Sequence, residues 1–154
     1  MAFWDDITSK AQELQSQLEG ELAKFQNSDF PPAVMAAIAL VAQADGKIDA
    51  EERKTVGTFI TQHALLQQYD ALKMRDQFYD FCEQLGRDDE ILKSGDELCV
   101  TAITKIKGIA DQSRTLVKMM ISLGSSDGLF DEREKAVVRR VCHMLDINPA
   151  EFEL

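Results

Sequence analysis

The chain has 154 residues, of which 45% are hydrophobic and 29% are charged, and its formal net charge is −10. This length and composition are typical of one globular domain with its own hydrophobic core. The negative charge argues against a nucleic-acid ligand or an anionic membrane surface, because cationic side chains are needed to neutralise phosphates. It is compatible with cations or a basic protein as partners.

Residues 2–27 form the first predicted helix. Its polar face is mainly acidic, with Asp5 and Asp6 where a secretory signal peptide would be basic, so no signal peptide is expected. The apolar face of this helix either packs on the domain or on another helix, or lies on a membrane. Packing against protein is favoured because helices that lie on membranes usually have a basic polar face. The apolar residues recur in steps of three and four, as one helical stripe requires: Phe3, Ile7, Ala11, Leu14, Leu18, Leu22 and Phe25.

Two consecutive prolines, Pro31 and Pro32, end the first helix and can open the second, which is predicted over residues 32–44. Residues 34–41 are apolar on every side of this helix, which indicates a central, buried position. The longest apolar run, residues 33–42, is too short to span a bilayer. We therefore divide the chain into an amino-terminal helix in residues 1–30, packed on the domain, and a helical domain in residues 31–154.

Five further helices are predicted from helical periodicity, and no segment alternates with period two. Asn148 and Pro149 predict a cap and a first-turn proline for a short terminal turn that ends at Phe152. The predicted fold class is therefore all-α: a single-domain helical bundle of about seven helices. The five helices cover residues 50–62, 69–85, 90–106, 111–125 and 132–145; the third is either continuous or in two pieces around Ser94 and Gly95, and Gly108 ends it.

One motif occurs twice, 82 positions apart. It reads Asp-Gly-x-apolar-Asp-x-x-Glu and covers residues 45–52 and 127–134. Apolar positions on both sides of the two copies also match, for example Val34 with Leu116 and Ile38 with Met120. The pattern predicts an internal duplication of a helix–turn–helix unit, with repeat units at about residues 31–62 and 113–145.

Helix capping explains most of this motif. Its glycine suits the left-handed residue that ends an incoming helix. Its second aspartate suits the N-cap of the outgoing helix, and the glutamate three residues later completes a capping box. Each cap would contribute about 1 kcal/mol. The capping residues are Gly46, Asp49 and Glu52 in the first copy and Gly128, Asp131 and Glu134 in the second.

Capping leaves the first aspartate of each copy, Asp45 and Asp127, without a role. A carboxylate in the last turn of a helix faces the negative end of the helix dipole, which is unfavourable by roughly a few tenths of a kcal/mol. A hydrogen bond within the turn or a bound cation would offset this unfavourable interaction. Structural capping alone and capping combined with a divalent cation therefore both stay open.

The cation interpretation has a precedent in the second half of an EF-hand calcium loop, which has acids at the same spacing. The first half of that loop is absent, because Val41 and Gln43, and then Leu123 and Ser125, occupy its first two ligand positions. A complete EF-hand is therefore excluded, and a weaker site for calcium or magnesium remains. The candidate ligands are Asp45, Asp49, Glu52, Asp127, Asp131 and Glu134.

The chain has an odd number of cysteines, Cys82, Cys99 and Cys142, and no two of them form a Cys-x-x-Cys pair. We expect them to be reduced, buried residues of a cytoplasmic protein, with a catalytic thiol as the alternative. His63 and His143 have no ligand or triad partner at a telling spacing and are expected to be ordinary surface or interface residues.

Both motifs with their flanking helices, the opening residues Met1–Asp5 and the ending Asp146–Leu154 resemble the TerB family of tellurite-resistance proteins. The resemblance implies an all-helical, internally duplicated bacterial protein of the cytoplasm with no established enzymatic activity. It also implies that the acidic turn residues are metal ligands. Arg133 stands where the first copy has Glu51, which places a cation beside the second set and makes that set the weaker candidate.

The same resemblance implies a stress-response complex at the inner membrane, with the membrane protein TerC and TerD-like proteins as partners. We therefore expect a non-enzymatic interaction module in tellurite resistance that reaches the membrane only through a partner. The alternatives are an enzyme acting on tellurite or another oxyanion, and a co-chaperone-like adaptor. A reductase would need a reactive thiol or a cofactor cradle, and the sequence predicts neither. The acidic surface would also repel an oxyanion.

Overall fold

The computed structural model describes residues 29–44, 50–51, 53–54, 57–58, 70–124, 132–152 and 154. These residues contain five α-helices and one short 3-10 helix, with no β-strand among them, so the all-α prediction is confirmed for this part of the chain. The described residues between 50 and 58 are also helical. The elements are α1 (Phe30–Ala44), α2 (Ala71–Gly86), α3 (Ser94–Thr104), α4 (Ala110–Gly124), α5 (Glu132–Met144) and η1 (Pro149–Phe152).

Helix α1 is the centre of the fold, as its all-round apolarity predicts. It contacts α2, α3, α4 and α5. Every residue from Ala33 to Ala42 is buried. Alanines alternate with larger apolar residues along this helix, and their small side chains let neighbouring helices approach closely.

The start of α1 differs from the prediction by two residues. The helix begins at Phe30, which is buried, and includes both prolines in its first turn. A proline is tolerated there because the first amide groups of a helix have no acceptor within the helix. The amide of Ala33 donates to the carbonyl of Asp29 at 3.4 Å.

Helices α2 and α3 pack against α1 and against each other. The core face of α2 consists of Met74, Phe78 and Cys82, which recur every four residues. Leu72, an apolar residue near the start of this helix, is 58% exposed. At the start of α3, Gly95 lies directly on the backbone of α2: a Cβ atom added there would be 2.6 Å from the amide nitrogen of Leu85.

As one continuous helix, the prediction over residues 90–106 is too long at both ends: α3 covers only Ser94–Thr104, so it begins at the alternative break around Ser94 and Gly95. Residues 88–93 form a turn that we call the Asp89 turn. The carboxylate of Asp88 accepts hydrogen bonds from the amides of Gly95 and Asp96, each at 2.8 Å. These bonds satisfy two of the free amides at the start of α3, so the helix begins there and not at Glu90.

The last two α-helices end close to their predicted positions. Gly108, with φ of 90°, separates α3 from α4 and adopts the left-handed conformation that glycine allows. Helix α5 ends at Met144, followed by Asp146 with φ of 57°. The predicted terminal turn is confirmed: the side-chain oxygen of Asn148 accepts from the amide of Ala150 at 3.0 Å, and η1 covers Pro149–Phe152.

Several predictions fall on residues outside the described part of the chain. The helix over residues 2–27 is one, and the helix over residues 50–62 is described only in part. The count of seven helices and the internal duplication are therefore not confirmed, and the division at residue 30 stays a prediction. Within the described residues, the paired positions Val34 and Leu116, and Ile38 and Met120, are all buried.

Candidate functional site

Of the six candidate ligands, only Glu134 lies among the described residues. Helices nevertheless flank both motifs. Helix α1 ends one residue before the first motif, and residues 50 and 51 within it are helical again. Helix α4 ends three residues before the second motif, and α5 begins within it. Each motif therefore connects two helices, as the helix stop and helix start interpretation requires. The ligands outside the described residues are Asp45, Asp49, Glu52, Asp127 and Asp131.

Glu134 is a buried carboxylate in the first turn of α5. It is 3% exposed and lies on the same helix face as Val138, Val141 and Cys142, which are all buried. Burial of a charged group is unfavourable unless hydrogen bonds or charges compensate it. The first turn of a helix offers such compensation through its free amides and the positive end of the dipole. The position therefore suits a capping residue, and its exclusion of water also suits a cation ligand.

The outer side of the same turn has a different character. Glu132 is exposed and forms ion pairs with Lys135 at 3.5 Å and with Arg139 at 3.4 Å. Arg133 is also exposed. Cationic side chains thus pair with the outer carboxylate of the second motif, whereas Glu134 is buried on the core face.

The described residues alone do not supply a metal site. Among them, no group of three or more His, Cys, Asp or Glu side chains is arranged to hold a metal ion. A cation site of the predicted kind would therefore have to use the motif acids that lie outside the described residues.

The cysteines are buried, as predicted. Cys82, Cys99 and Cys142 are each 0% exposed. Burial raises the pKa of Cys82 to about 12, against the smaller opposing effect of Arg53. Burial, together with the nearby Asp96, raises the pKa of Cys99 to about 12, and burial also raises the pKa of Cys142. All three thiols are therefore protonated at neutral pH and inaccessible to a substrate, which makes them poor nucleophiles.

The family model for tellurite resistance protein TerB matches residues 32–154. The chain belongs to the TerB family. The matched segment includes both acidic motifs and nearly all of α1 through η1. No curated protein and no solved structure matches the chain significantly. Within the described part of this TerB-family chain, no helix has both the length and the apolar character needed to cross a bilayer.

An open groove of about 500 Å³ runs beside α2 of the TerB domain. Asp70 is already used as the N-cap of α2, where its carboxylate accepts from the amide of Lys73 at 3.1 Å. A charged, open lining is unlike the enclosed, mainly apolar pockets that hold small-molecule ligands. The lining residues are Asp70, Leu72, Lys73, Asp76, Gln77 and Asp80.

An ion pair fixes α5 of the TerB domain against α3. The guanidinium of Arg140 donates to both carboxylate oxygens of Asp96, at 2.6 Å for Nη1 to Oδ1. These hydrogen bonds lower the pKa of Asp96 and raise the pKa of Arg140. The pair is partly exposed and ties α5, the helix that contains Glu134, to a second element of the bundle.

The sequence interpretation missed one surface feature, the exposed pair Ile91 and Leu92 in the Asp89 turn. Both lie within the helix predicted over residues 90–106, on the amino-terminal side of its alternative break at Ser94 and Gly95. The adjacent acids Asp88 and Asp89 were the available signal, since aspartate side chains bond to amides two or three residues later and compete with a helix.

Proposed function

We propose that this TerB-family chain is a non-enzymatic protein of tellurite resistance and stress response that acts as an interaction module. The observation that supports this most strongly is the family match over residues 32–154. The matched segment contains both acidic motifs and the helices around them.

The state of the thiols supports a role other than reduction of an oxyanion. A thiol reductase needs an accessible cysteine with a lowered pKa. Here burial raises the pKa of both Cys82 and Cys99 to about 12, and neither is exposed. The net charge of −10 would also repel tellurite. The enzyme and the co-chaperone-like adaptor are the alternatives, and no contact among the described residues favours either.

We further propose that the acidic motifs hold a divalent cation, calcium or magnesium. Asp45 and Asp127 are not needed for capping, and hard cations prefer carboxylate oxygens. Glu134 supplies a carboxylate that is already withdrawn from water. A cation would stiffen each turn between its two helices, and so would fix the relative orientation of helix faces that a partner contacts.

The partners in this proposal are the membrane protein TerC and TerD-like proteins, and the chain is cytoplasmic and peripheral to the inner membrane through them. Complementation of a strain that lacks the gene tests the proposal. The wild-type chain is expected to restore growth on tellurite, and a variant with all three cysteines replaced by alanine or serine should do so too if it folds. Loss of resistance in a folded cysteine-free variant would support the enzyme alternative.

A titration of calcium, magnesium and manganese into the metal-free protein tests the cation part. We expect saturable heat for the wild-type chain and loss of that heat in the double variant Asp45→Asn, Asp127→Asn. Absence of heat at millimolar metal, with unchanged stability of the double variant, would leave capping as the sole role of the motifs.

A further inference from the structure

The Asp89 turn places two large aliphatic side chains in water at the junction of α2 and α3. Ile91 is 91% exposed and Leu92 is 62% exposed, the two highest values among the large hydrophobic side chains of the described residues. Single exposed aliphatic residues are common on protein surfaces. Two adjacent ones at the end of a turn form a projecting apolar surface of the kind that contacts other molecules.

A single aspartate side chain holds both residues in place. One carboxylate oxygen of Asp89 accepts from the amide of Ile91 at 2.8 Å and from the amide of Leu92 at 2.6 Å. The amide of Asp89 donates to the carbonyl of Leu92 at 2.9 Å. These amide bonds lower the pKa of Asp89, so its carboxylate stays charged and the turn stays closed at neutral pH.

The base of the Asp89 turn is fixed to both helices. Asp88 bonds to the first amides of α3, and Gly95 packs on the backbone of α2 near Leu85. The backbone that displays Ile91 and Leu92 is thus ordered before any partner arrives. A preorganised surface loses little conformational entropy on binding, which favours recognition.

We propose that the Asp89 turn is a docking surface, and that its partner is a basic amphipathic helix of another protein. Charge supports this choice of partner. Asp89 and Glu90 adjoin the two aliphatic residues and Glu97 is exposed on α3. Of the nearby cations, Arg87 pairs with Glu83 and Arg140 with Asp96, and Lys93 is the third. The whole chain carries −10. A helix with an apolar stripe bordered by Lys and Arg would cover Ile91 and Leu92 and pair with these acids.

The same charges disfavour two other occupants. In a symmetric contact between two copies of this chain, the acids at the Asp89 turn would lie against their own counterparts, and like charges repel. An anionic lipid surface would repel them as well. The proposal extends the interaction role proposed above, because it specifies a surface for it.

The test uses the intact, isotope-labelled chain and a synthetic amphipathic helical peptide of leucine and lysine. We expect the amide chemical shifts of residues 89–92 to change saturably on titration. The double variant Ile91→Ser, Leu92→Ser should raise the dissociation constant at least tenfold, and because both side chains are exposed its spectrum should remain that of a folded protein. Asp89→Ala should weaken binding more than Asp89→Asn, because asparagine loses the charge but keeps an acceptor oxygen for the amides of the turn.

Leu72 provides the matched control. It is 58% exposed and lies near the start of α2, about 21 Å along the helix from Gly86 at a rise of about 1.5 Å per residue. Leu72→Ser should leave the dissociation constant within twofold. Equal affinity of the Ile91 and Leu92 double variant, or absence of shift changes in residues 89–92, would overturn the proposal. Dimerisation through the turn, or binding of the turn to phosphatidylglycerol vesicles, would do so too.

Growth on tellurite separates this proposal from the proposed function. If the wild-type chain restores growth but the peptide leaves residues 89–92 unchanged, the docking surface is wrong and the interaction role stands. If the wild-type chain fails to restore growth, the role in tellurite resistance is wrong, and the peptide titration still decides whether the Asp89 turn binds a basic helix.

Discussion

Replacement of Gly95 by alanine tests the contact between α2 and α3. A Cβ atom at this position would lie 2.6 Å from the amide nitrogen of Leu85 and closer still to the carbonyl group of Gln84. Both are backbone atoms, which cannot rotate away, so α3 would have to shift. Overpacking of this kind costs roughly 1–3 kcal/mol, against which alanine returns at most about 1 kcal/mol through its better helix propensity. We therefore expect Gly95→Ala to lower the free energy of unfolding by about 1–2 kcal/mol.

Gly86 in the same pair of helices is the control. Gly86 is the last residue of α2, and a Cβ atom added there would have no other atom within 4 Å. Gly86→Ala should therefore raise the free energy of unfolding by about 0.5 kcal/mol through helix propensity alone. For a chain of this size, 1 kcal/mol corresponds to roughly 2–4 °C in the melting temperature. The two variants should move the melting temperature in opposite directions.

Urea unfolding followed by circular dichroism measures the stability of both variants. The slope of the unfolding free energy against urea concentration should be the same in each variant and the wild type if unfolding remains two-state. A Gly95→Ala protein as stable as the wild type would show that α3 does not pack on the backbone of α2 at this point. It would also remove the argument that the base of the Asp89 turn is rigid.

Four further experiments test other parts of the structure. Asp88→Ala removes the acceptor for two amides of α3 and should destabilise the fold by about 1–2 kcal/mol in urea unfolding, with Asp88→Asn, which keeps one acceptor oxygen, closer to the wild type. Asp96→Asn should lower the free energy of unfolding by about 1 kcal/mol at pH 7. Because folding lowers the pKa of Asp96, this difference should be constant above about pH 4 and disappear as the pH falls through the folded pKa. A difference that does not depend on pH would contradict the role of this ion pair. Glu134→Ala should lower the free energy of unfolding by roughly 1–3 kcal/mol, whereas Glu132→Ala, at an exposed position, should lower it by less than about 1 kcal/mol. Equal losses in the two variants would contradict the difference in burial. Ellman's reagent should modify no cysteine of the native protein at pH 8 and all three in guanidinium chloride, and rapid native labelling would contradict their burial.

The core of the fold could be predicted from the sequence because its signals are local. The all-round apolarity of residues 34–41 gives α1 its central position, and Asn148 with Pro149 gives the start of η1. The small shift at the start of α1 arises because both prolines fit within a first turn, where no amide is needed.

The start of α3 could be predicted only as one of two alternatives, because the choice between them depends on a bond across seven residues. Periodicity treats Ile91 and Leu92 as helical, since it considers only apolar spacing. The carboxylate of Asp88 reaches forward to the amide of Gly95 and thereby sets the first turn of the helix. Such a cap is made by tertiary geometry, as is the close approach that requires glycine at position 95.

For the candidate site, the sequence identifies the acids and their repeat, and helical spacing gives the burial of Glu134. Residues 134, 138 and 141 share one face of α5, so a glutamate at the first of these positions faces the core together with two valines. Spacing alone cannot say whether carboxylates from one copy, or from both, converge on one point. That depends on backbone directions in the two turns.

The proposed interaction role is tested most directly by association of the purified, intact chain with purified TerC in detergent, measured by co-purification with and without a TerD-like protein. The account predicts a saturable complex with a fixed stoichiometry that survives removal of all three thiols by substitution. Failure of the wild-type chain to bind either protein, together with reduction of tellurite by the chain alone, would contradict it.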